Sequence, residues 1–267
     1  MPTRKEKIAA FRALHQAGCF IMPNPWDAGG AKLLATLGAK ALATTSSGFA
    51  HSIGSRDGAA DITRDMTLAH AALIAAATDL PVNADTEDCY GKTVADVAET
   101  VRLAAAAGLA GLSIEDRWPG GPAPYRTRAD AIERVGAAVE AARTWNIVLT
   151  ARADGLLTQG YDLDEAIIRL QAFANLGAEV VYAPGLKTMA DLTRVCASVK
   201  APVNHLAAPG VKGAGLQDIA KAGTRRISTG GSLAKAVGGA MKQISAAVLD
   251  GEFAVLENAP GWREIGG

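Results

Sequence analysis

Cysteine is scarce: Cys19, Cys89 and Cys196 stand far apart, with no CxxC pair. That leaves no plausible disulfide framework and fits a reducing compartment. Aromatic residues make up 5% of the chain against 49% hydrophobic residues overall, so the core must be built mainly from Ala, Leu, Val and Ile. Neither sign of charge dominates. Lys plus Arg and Asp plus Glu both number 27, so no long-range field favours nucleic acid or an anionic membrane, and neither is expected as a partner. No stretch is long and apolar enough to span a bilayer, and the charged N-terminus MPTRKEKIAAFRALHQAG lacks the apolar region of a signal peptide. The expected setting is the cytoplasm.

What is present is a repeating unit: an Ala/Leu-rich helical stretch, a glycine, then a short apolar run. LGAKALATT, AGLAGLSIED, LGAEVVYAP and AGTRRIST carry it at Gly38, Gly108, Gly177 and Gly223. Glycine can close a helix in the left-handed conformation, and the run behind it reads as a buried parallel strand. With CFIMP, LPVNAD, IVLTARAD and APVNHLA the count reaches eight, near 19–22, 41–45, 81–85, 110–114, 147–151, 178–182, 201–205 and 225–228. Eight β/α units in strict alternation predict a TIM (β/α)8 barrel, with an open doubly wound sheet as the alternative. A single domain covers 1–267, with the barrel over about 18–230. A C-terminal helical extension follows over about 231–267 and contains Trp262.

Four acids stand just past apolar runs: Asp57, the Asp85/Glu87 pair in PVNADTED, and Glu115 in GLSIED. A barrel delivers strand ends to one mouth, and residues two apart on a strand point the same way. Carboxylates without His or Cys partners suit Mg²⁺, or Mn²⁺, with some acids acting through water. Asp57 lies in an Asp-Gly turn, so a plain turn role competes at that position. Arg152, at the fifth strand's end, can grip a carboxylate or phosphonate bidentately, or pair with Asp154 or Glu115 instead.

PNPWDAGGAKLL, TTSSGFAHSIG, PVNADTEDCYG, GLAGLSIED, TARAD and GAEVVYAPG, in this order from about 20 to 235, resemble the isocitrate lyase/phosphoenolpyruvate mutase superfamily, closest to its small phosphonomutase-like branch. The resemblance implies an α/β barrel that binds Mg²⁺ and a 2-oxo or 2-hydroxy acid. It also implies a homo-oligomer, a tetramer that exchanges a C-terminal helix between neighbours or a helix-swapped dimer. Its metal-associated acids fall on Asp57, Asp85, Glu87 and Glu115, with Glu87 where relatives often carry Asp. Its carboxylate-binding turn falls on Ser46, Ser47 and Gly48. Trp26 would wall the small acid, and Asp27 either joins it or caps the next helix. Asp85 and Arg152 complete the expected substrate contacts. Arg152, Glu115 and His205 are the expected catalytic residues, His205 supplying a proton from the opposite wall or serving structurally.

A 2-oxo acid chelated to Mg²⁺ can delocalise a developing enolate, so a bond to C3 becomes breakable. The lyase branch uses a loop Cys to manage the proton at C3, and the phosphonomutase branch uses a loop Asn. The loop here, DRWPGGPAPYRTRAD, has no Cys, His or Asn between Asp116 and Asp130. Isocitrate and methylisocitrate lyase activities are therefore disfavoured. C–C cleavage or decarboxylation is favoured, with P–C bond chemistry (a phosphonopyruvate hydrolase or phosphonomutase) and an inert oxyacid binder as alternatives. Tyr125 and Arg126 could enter from the loop but more plainly solvate it, and Cys89 reads as a small buried group. STGGSL, from Ser228 to Leu233, could cradle phosphate at the start of a helix, or simply turn the chain.

Overall fold

Eight apolar runs become eight parallel strands in the computed structural model, which describes residues 2–58, 61–119, 123–261 and 263–264. They are β1 (Phe20–Met22), β2 (Leu42–Ala43), β3 (Val82–Asp85), β4 (Gly111–Glu115), β5 (Val148–Arg152), β6 (Val180–Tyr182), β7 (Val203–Leu206) and β8 (Arg226–Ser228), each within two residues of its expected bounds. The hydrogen-bonded order β1-β8-β7-β6-β5-β4-β3-β2 leaves one seam, which the Ala43 N–H closes by donating to the Pro23 carbonyl at 3.1 Å. This is the (β/α)8 barrel, not the open sheet.

Among the described residues ten α-helices surround or extend it: α1 (Arg4–Leu14), α2 (Ala28–Thr36), α3 (Ser46–Ser52), α4 (Arg64–Ala76), α5 (Val94–Ala106), α6 (Arg128–Trp145), α7 (Leu163–Leu176), α8 (Met189–Ser198), α9 (Leu216–Lys221) and α10 (Ser232–Leu249). Threonine starts many of them. The side chains of Thr3, Thr45, Thr63, Thr93, Thr127 and Thr188 each accept from the N–H three residues on, satisfying a donor the helix cannot. Gly38, Gly108, Gly177 and Gly223 all take positive φ, as the repeating unit requires.

The strands alternate between two cores. Leu112, Ile114, Leu149 and Ala151 face the helical layer. Phe20, Met22, Val148 and Val180 face inward, where Ile8 and Phe11 of α1 close the N-terminal end of the barrel. Above this plug the interior turns polar, with Asn83, Ser113, Thr150, Asn204, Arg226 and Ser228 all buried.

His15 ends the plug. Its Nδ1 lies 2.8 Å from the Phe11 carbonyl and so carries the hydrogen, which turns the Nε2 lone pair toward Arg226 at 3.5 Å. Burial, then the Arg226 charge, pushes its pKa down to about 3 from 6.5. The unfolded chain binds a proton that the folded chain refuses, so this residue's contribution to stability is lost as pH falls from about 6.5 toward 3. Urea titrations of His15→Gln are expected to show a flatter loss of stability over that range than the parent. An unchanged slope would mean that His15 is charged in the fold.

Beyond the barrel, α10 buries only Ala234 and exposes Val237, Met241, Ile244 and Leu249. The 3-10 turn Phe253–Leu256 exposes Phe253, Val255 and Leu256 as well. Trp262 lies outside the described residues. Among those residues no helix is long and apolar enough to cross a membrane.

Candidate active site

A cavity of about 330 Å³ opens at the C-terminal mouth of the barrel, and Asp57, Asp85, Glu115, Arg152, Ser46 and Ser47 all line it. Six of the expected site residues, carried on β3, β4, β5, the first turn of α3 and the loop after it, are thus brought together.

Arg152 is the hub. Its Nη1 lies 3.1 Å from Asp85 Oδ1 and 2.8 Å from Glu115 Oε1, while Nη2 and Nε reach the two Asp154 oxygens at 2.7 and 3.0 Å. Both expected structural pairings, with Glu115 and with Asp154, are present alongside Asp85. Three of its five N–H groups donate to Asp85 and Asp154, and Nη1 also pairs with Glu115, so Arg152 orders the acids more than it clamps a substrate. Burial pushes Glu115 well above the ordinary carboxyl range, against the pull of Arg152. Asp85 is further fixed by the Ser46 N–H at 3.1 Å and the Ser113 hydroxyl at 3.3 Å.

Glu87 departs from expectation. β3 ends at Asp85, and Glu87 takes φ 47°, so the alternation that would have aligned the two side chains is broken. It accepts from the Tyr90 hydroxyl at 3.2 Å and lines an adjoining cavity with Trp118 and Arg126 rather than the main one. Burial, then the charges of Asp85 and Asp57, raise its pKa to about 7. Among the described residues no three His, Cys, Asp or Glu side chains form a ready metal cage. The four acids are a neighbourhood, not a four-ligand shell.

The serine turn is the first turn of α3. Thr45 caps it by accepting from the Gly48 N–H, and the Ser46 N–H is spent on Asp85, so what this turn has to offer the cavity is the Ser46 and Ser47 hydroxyls, the latter 3.2 Å from Thr45 Oγ1, and not freed amides of Ser46 or Gly48. Gly48 and Trp26 stand behind this wall and do not line the cavity. A Cβ on Gly48 would come within 2.6 Å of Thr45 Cγ2 and 3.1 Å of Trp26 Cβ, so glycine lets the helix seat against the β1 loop. Asp27 caps α2, accepting from the Gly30 N–H at 2.6 Å.

His205 does not reach the site. On β7, Asn204 and Leu206 line the cavity, so His205 between them points out into the helical layer, buried with both ring nitrogens unpartnered. Tyr125 is held outside the cavity, its hydroxyl on Thr158 and the Asp154 carbonyl. Arg126 is buried rather than solvated, pairing with Asp88 at 2.8 Å and Asp130 at 2.9 Å. The loop residue that does enter is Arg117, which lines the cavity within the fields of Glu115, Asp154 and Asp57. Cys89 is fully buried, and burial pushes its thiol up to about 12, which makes it inert. At STGGSL the Thr229 and Gly230 amides donate to Asn24 Oδ1 at 2.9 and 3.0 Å. Those two donors are therefore unavailable to a phosphate, and the tight-turn reading holds.

A family model for phosphoenolpyruvate phosphomutase matches residues 11–249. A crystal structure from Burkholderia cenocepacia J2315, provisionally described as a lyase/mutase, is 43% identical with a TM-score of 0.93, covering 98% of this chain and 95% of that one. An uncharacterized protein of Mycobacterium tuberculosis is 31% identical over 248 residues, 91% of this chain and 90% of its own. An oxaloacetate decarboxylase of Rhodopseudomonas palustris is 32% identical over 134 residues, 48% of this chain and 45% of its own.

Proposed function

We propose, for a chain that belongs to the phosphoenolpyruvate phosphomutase family, a divalent-metal-dependent lyase that cleaves a C–C bond in a small 2-oxo acid, decarboxylation first. One observation carries this: Asp57, Asp85, Glu115, Arg152, Ser46 and Ser47 line a single cavity at the mouth where a barrel does its chemistry. The partial match to an oxaloacetate decarboxylase is in keeping with decarboxylation.

The residues present fit Mg²⁺. It binds through one or two carboxylates and keeps several waters, so the lack of a three-acid cage is no obstacle. Asp85 is its direct holder in this reading, with Asp57, Glu87 and Glu115 acting through water; the crowding of Glu87 by Asp85 and Asp57 is what a cation would relieve. Bound there, the ion would polarise the 2-oxo group and stabilise negative charge developing on it.

The rest is the work of the chain itself. The Ser46 and Ser47 hydroxyls donate to the substrate carboxylate. Arg152, held by three carboxylates, keeps Asp85 and Glu115 from swinging away. Arg117 reaches the cavity from the loop and offers donors to the departing group. The apolar face left on α10 and its following turn is the basis for proposing homo-oligomers in which that helix is covered by a second copy.

Oxaloacetate, phosphonopyruvate and methylisocitrate, each assayed with and without Mg²⁺, separate the readings. Mg²⁺-dependent formation of pyruvate and CO₂ from oxaloacetate is the expected result. Turnover of phosphonopyruvate alone would move the assignment to P–C chemistry. Oxalate binding without any turnover would mean an inert binder, a reading favoured by the absence of Cys and His among the described residues that line the cavity.

A further inference from the structure

Cleavage of a bond to C3 leaves a carbanionic centre that must take up a proton, and the loop provides neither Cys nor His to deliver it. The strand register shows what does face that space. Glu115 pairs with Arg152, Arg152 with Tyr182, Tyr182 with Asn204, and Asn204 with Arg226, one row across five consecutive strands. All five residues line the cavity. The Arg152 guanidinium carbon sits 5.0 Å from the centre of the Tyr182 ring.

Arg226 is the unusual member. It is 2% exposed, and its guanidinium meets only neutral groups: Asn204 Oδ1 at 2.8 Å, Thr150 Oγ1 at 3.1 Å and His15 Nε2 at 3.5 Å. The other buried arginines each have a carboxylate, Asp88 for Arg126 and Arg134, and Asp116 for Arg169. Among the described residues no carboxylate pairs with Arg226. A buried cation without a counter-anion is costly, and folds keep one where its charge is used. Burial pulls the arginine down to about 9, against the smaller opposing influence of the Tyr182 phenol.

Resting on the lyase reading above, we propose that Tyr182 is the proton donor to the carbon left by bond cleavage, and that Arg226 is a positioning residue that, with Arg152, stabilises the phenolate so formed. The Oη–H bond breaks, its electron pair stays on oxygen, and the enolate electron pair forms the new C–H bond. Water returns a proton to the phenolate after the product leaves. Overall a 2-oxo diacid loses CO₂ and gains one proton.

Placement favours this donor over its neighbours. β6 lies four strands from β2, so Tyr182 faces the Ser46–Ser47 turn across the barrel. It fills the opposite-wall role that His205, turned outward on β7, does not. Lys235 is exposed at the rim, and Arg117 is a guanidinium that does not release a proton. Burial raises the phenol above its ordinary range, so it holds its proton at neutral pH until a stronger base presents itself.

The test is decarboxylation of 3-methyloxaloacetate in D₂O with Mg²⁺. The wild type is expected to give 2-oxobutanoate deuterated at C3 in a single configuration. Tyr182→Phe is expected to slow turnover about 100-fold and to give racemic deuterium, since protonation then occurs in bulk water. Arg226→Met is expected to slow turnover while keeping the single configuration. Oxalate affinity should stay within threefold in both variants, which establishes an intact site. Tyr182→Phe with the parent's rate and configuration would overturn the proposal, as would Arg226→Met with the parent's rate. A wild type that binds oxalate but turns over no 2-oxo acid would instead overturn the lyase reading, and this proposal with it, before any substitution is made.

Discussion

Asp85→Ala is expected to lower Mg²⁺-dependent turnover on the order of 10³-fold while leaving the fold in place. Asp85 is where the site's elements meet: it accepts from the Ser46 N–H, from Ser113 and from Arg152. Alanine there removes the proposed direct metal holder and also frees the N–H that seats the first turn of α3. The cost to stability stays modest, because Arg152 keeps Glu115 and Asp154 and no charge is stranded. Kinetics over a Mg²⁺ titration, beside a thermal melt, separate the two effects. Parent-like turnover with Mg²⁺ still bound would sink the metal assignment.

Arg152→Met is expected to affect both activity and stability. The substitution leaves Asp85, Glu115 and Asp154 facing one another in a nearly buried space, with Arg152 itself 14% exposed in the parent. Stranding paired charges in this way costs about 3–5 kcal/mol. The pH dependence has a definite sign. Glu115 already sits well above its ordinary value through burial, and loss of Arg152 raises it further. A carboxyl with a raised folded pKa is easier to keep when protonated, so the variant's deficit should shrink as pH falls and grow as it rises. Urea unfolding at several pH values measures this. A deficit that is small and independent of pH would mean that the three acids are not electrostatically coupled through Arg152.

The barrel was legible because its signals are local. Glycines that close helices at Gly38, Gly108, Gly177 and Gly223, each followed by an apolar run, mark strand starts without reference to anything distant. The acids were legible for a similar reason, since a carboxylate at the end of a strand has one mouth to face. What stayed hidden was phase. A strand buried on both faces shows no polar alternation, so nothing in APVNHLA says that Asn204 points inward and His205 outward. The direction of Glu87 stayed hidden for a related reason: its positive φ breaks the alternation just past Asp85, and no glycine announces it. Tyr182 went unread because it sits in the apolar run EVVYA, and Arg226 because nothing in TRRIST says which of its two arginines points inward. The relation proposed between them depends on the register that aligns β6, β7 and β8. Asn24 lay in plain view in the PNPW turn, yet its bonds to Thr229 and Gly230 span about two hundred residues of chain.

Crystallisation with Mg²⁺ and oxalate is the decisive measurement. The ion is expected on Asp85, with the other acids reached through water, and one oxalate carboxylate on the Ser46 and Ser47 hydroxyls. An anion seated instead at Gly230–Gly231, or an ion held away from Asp85, would contradict that placement.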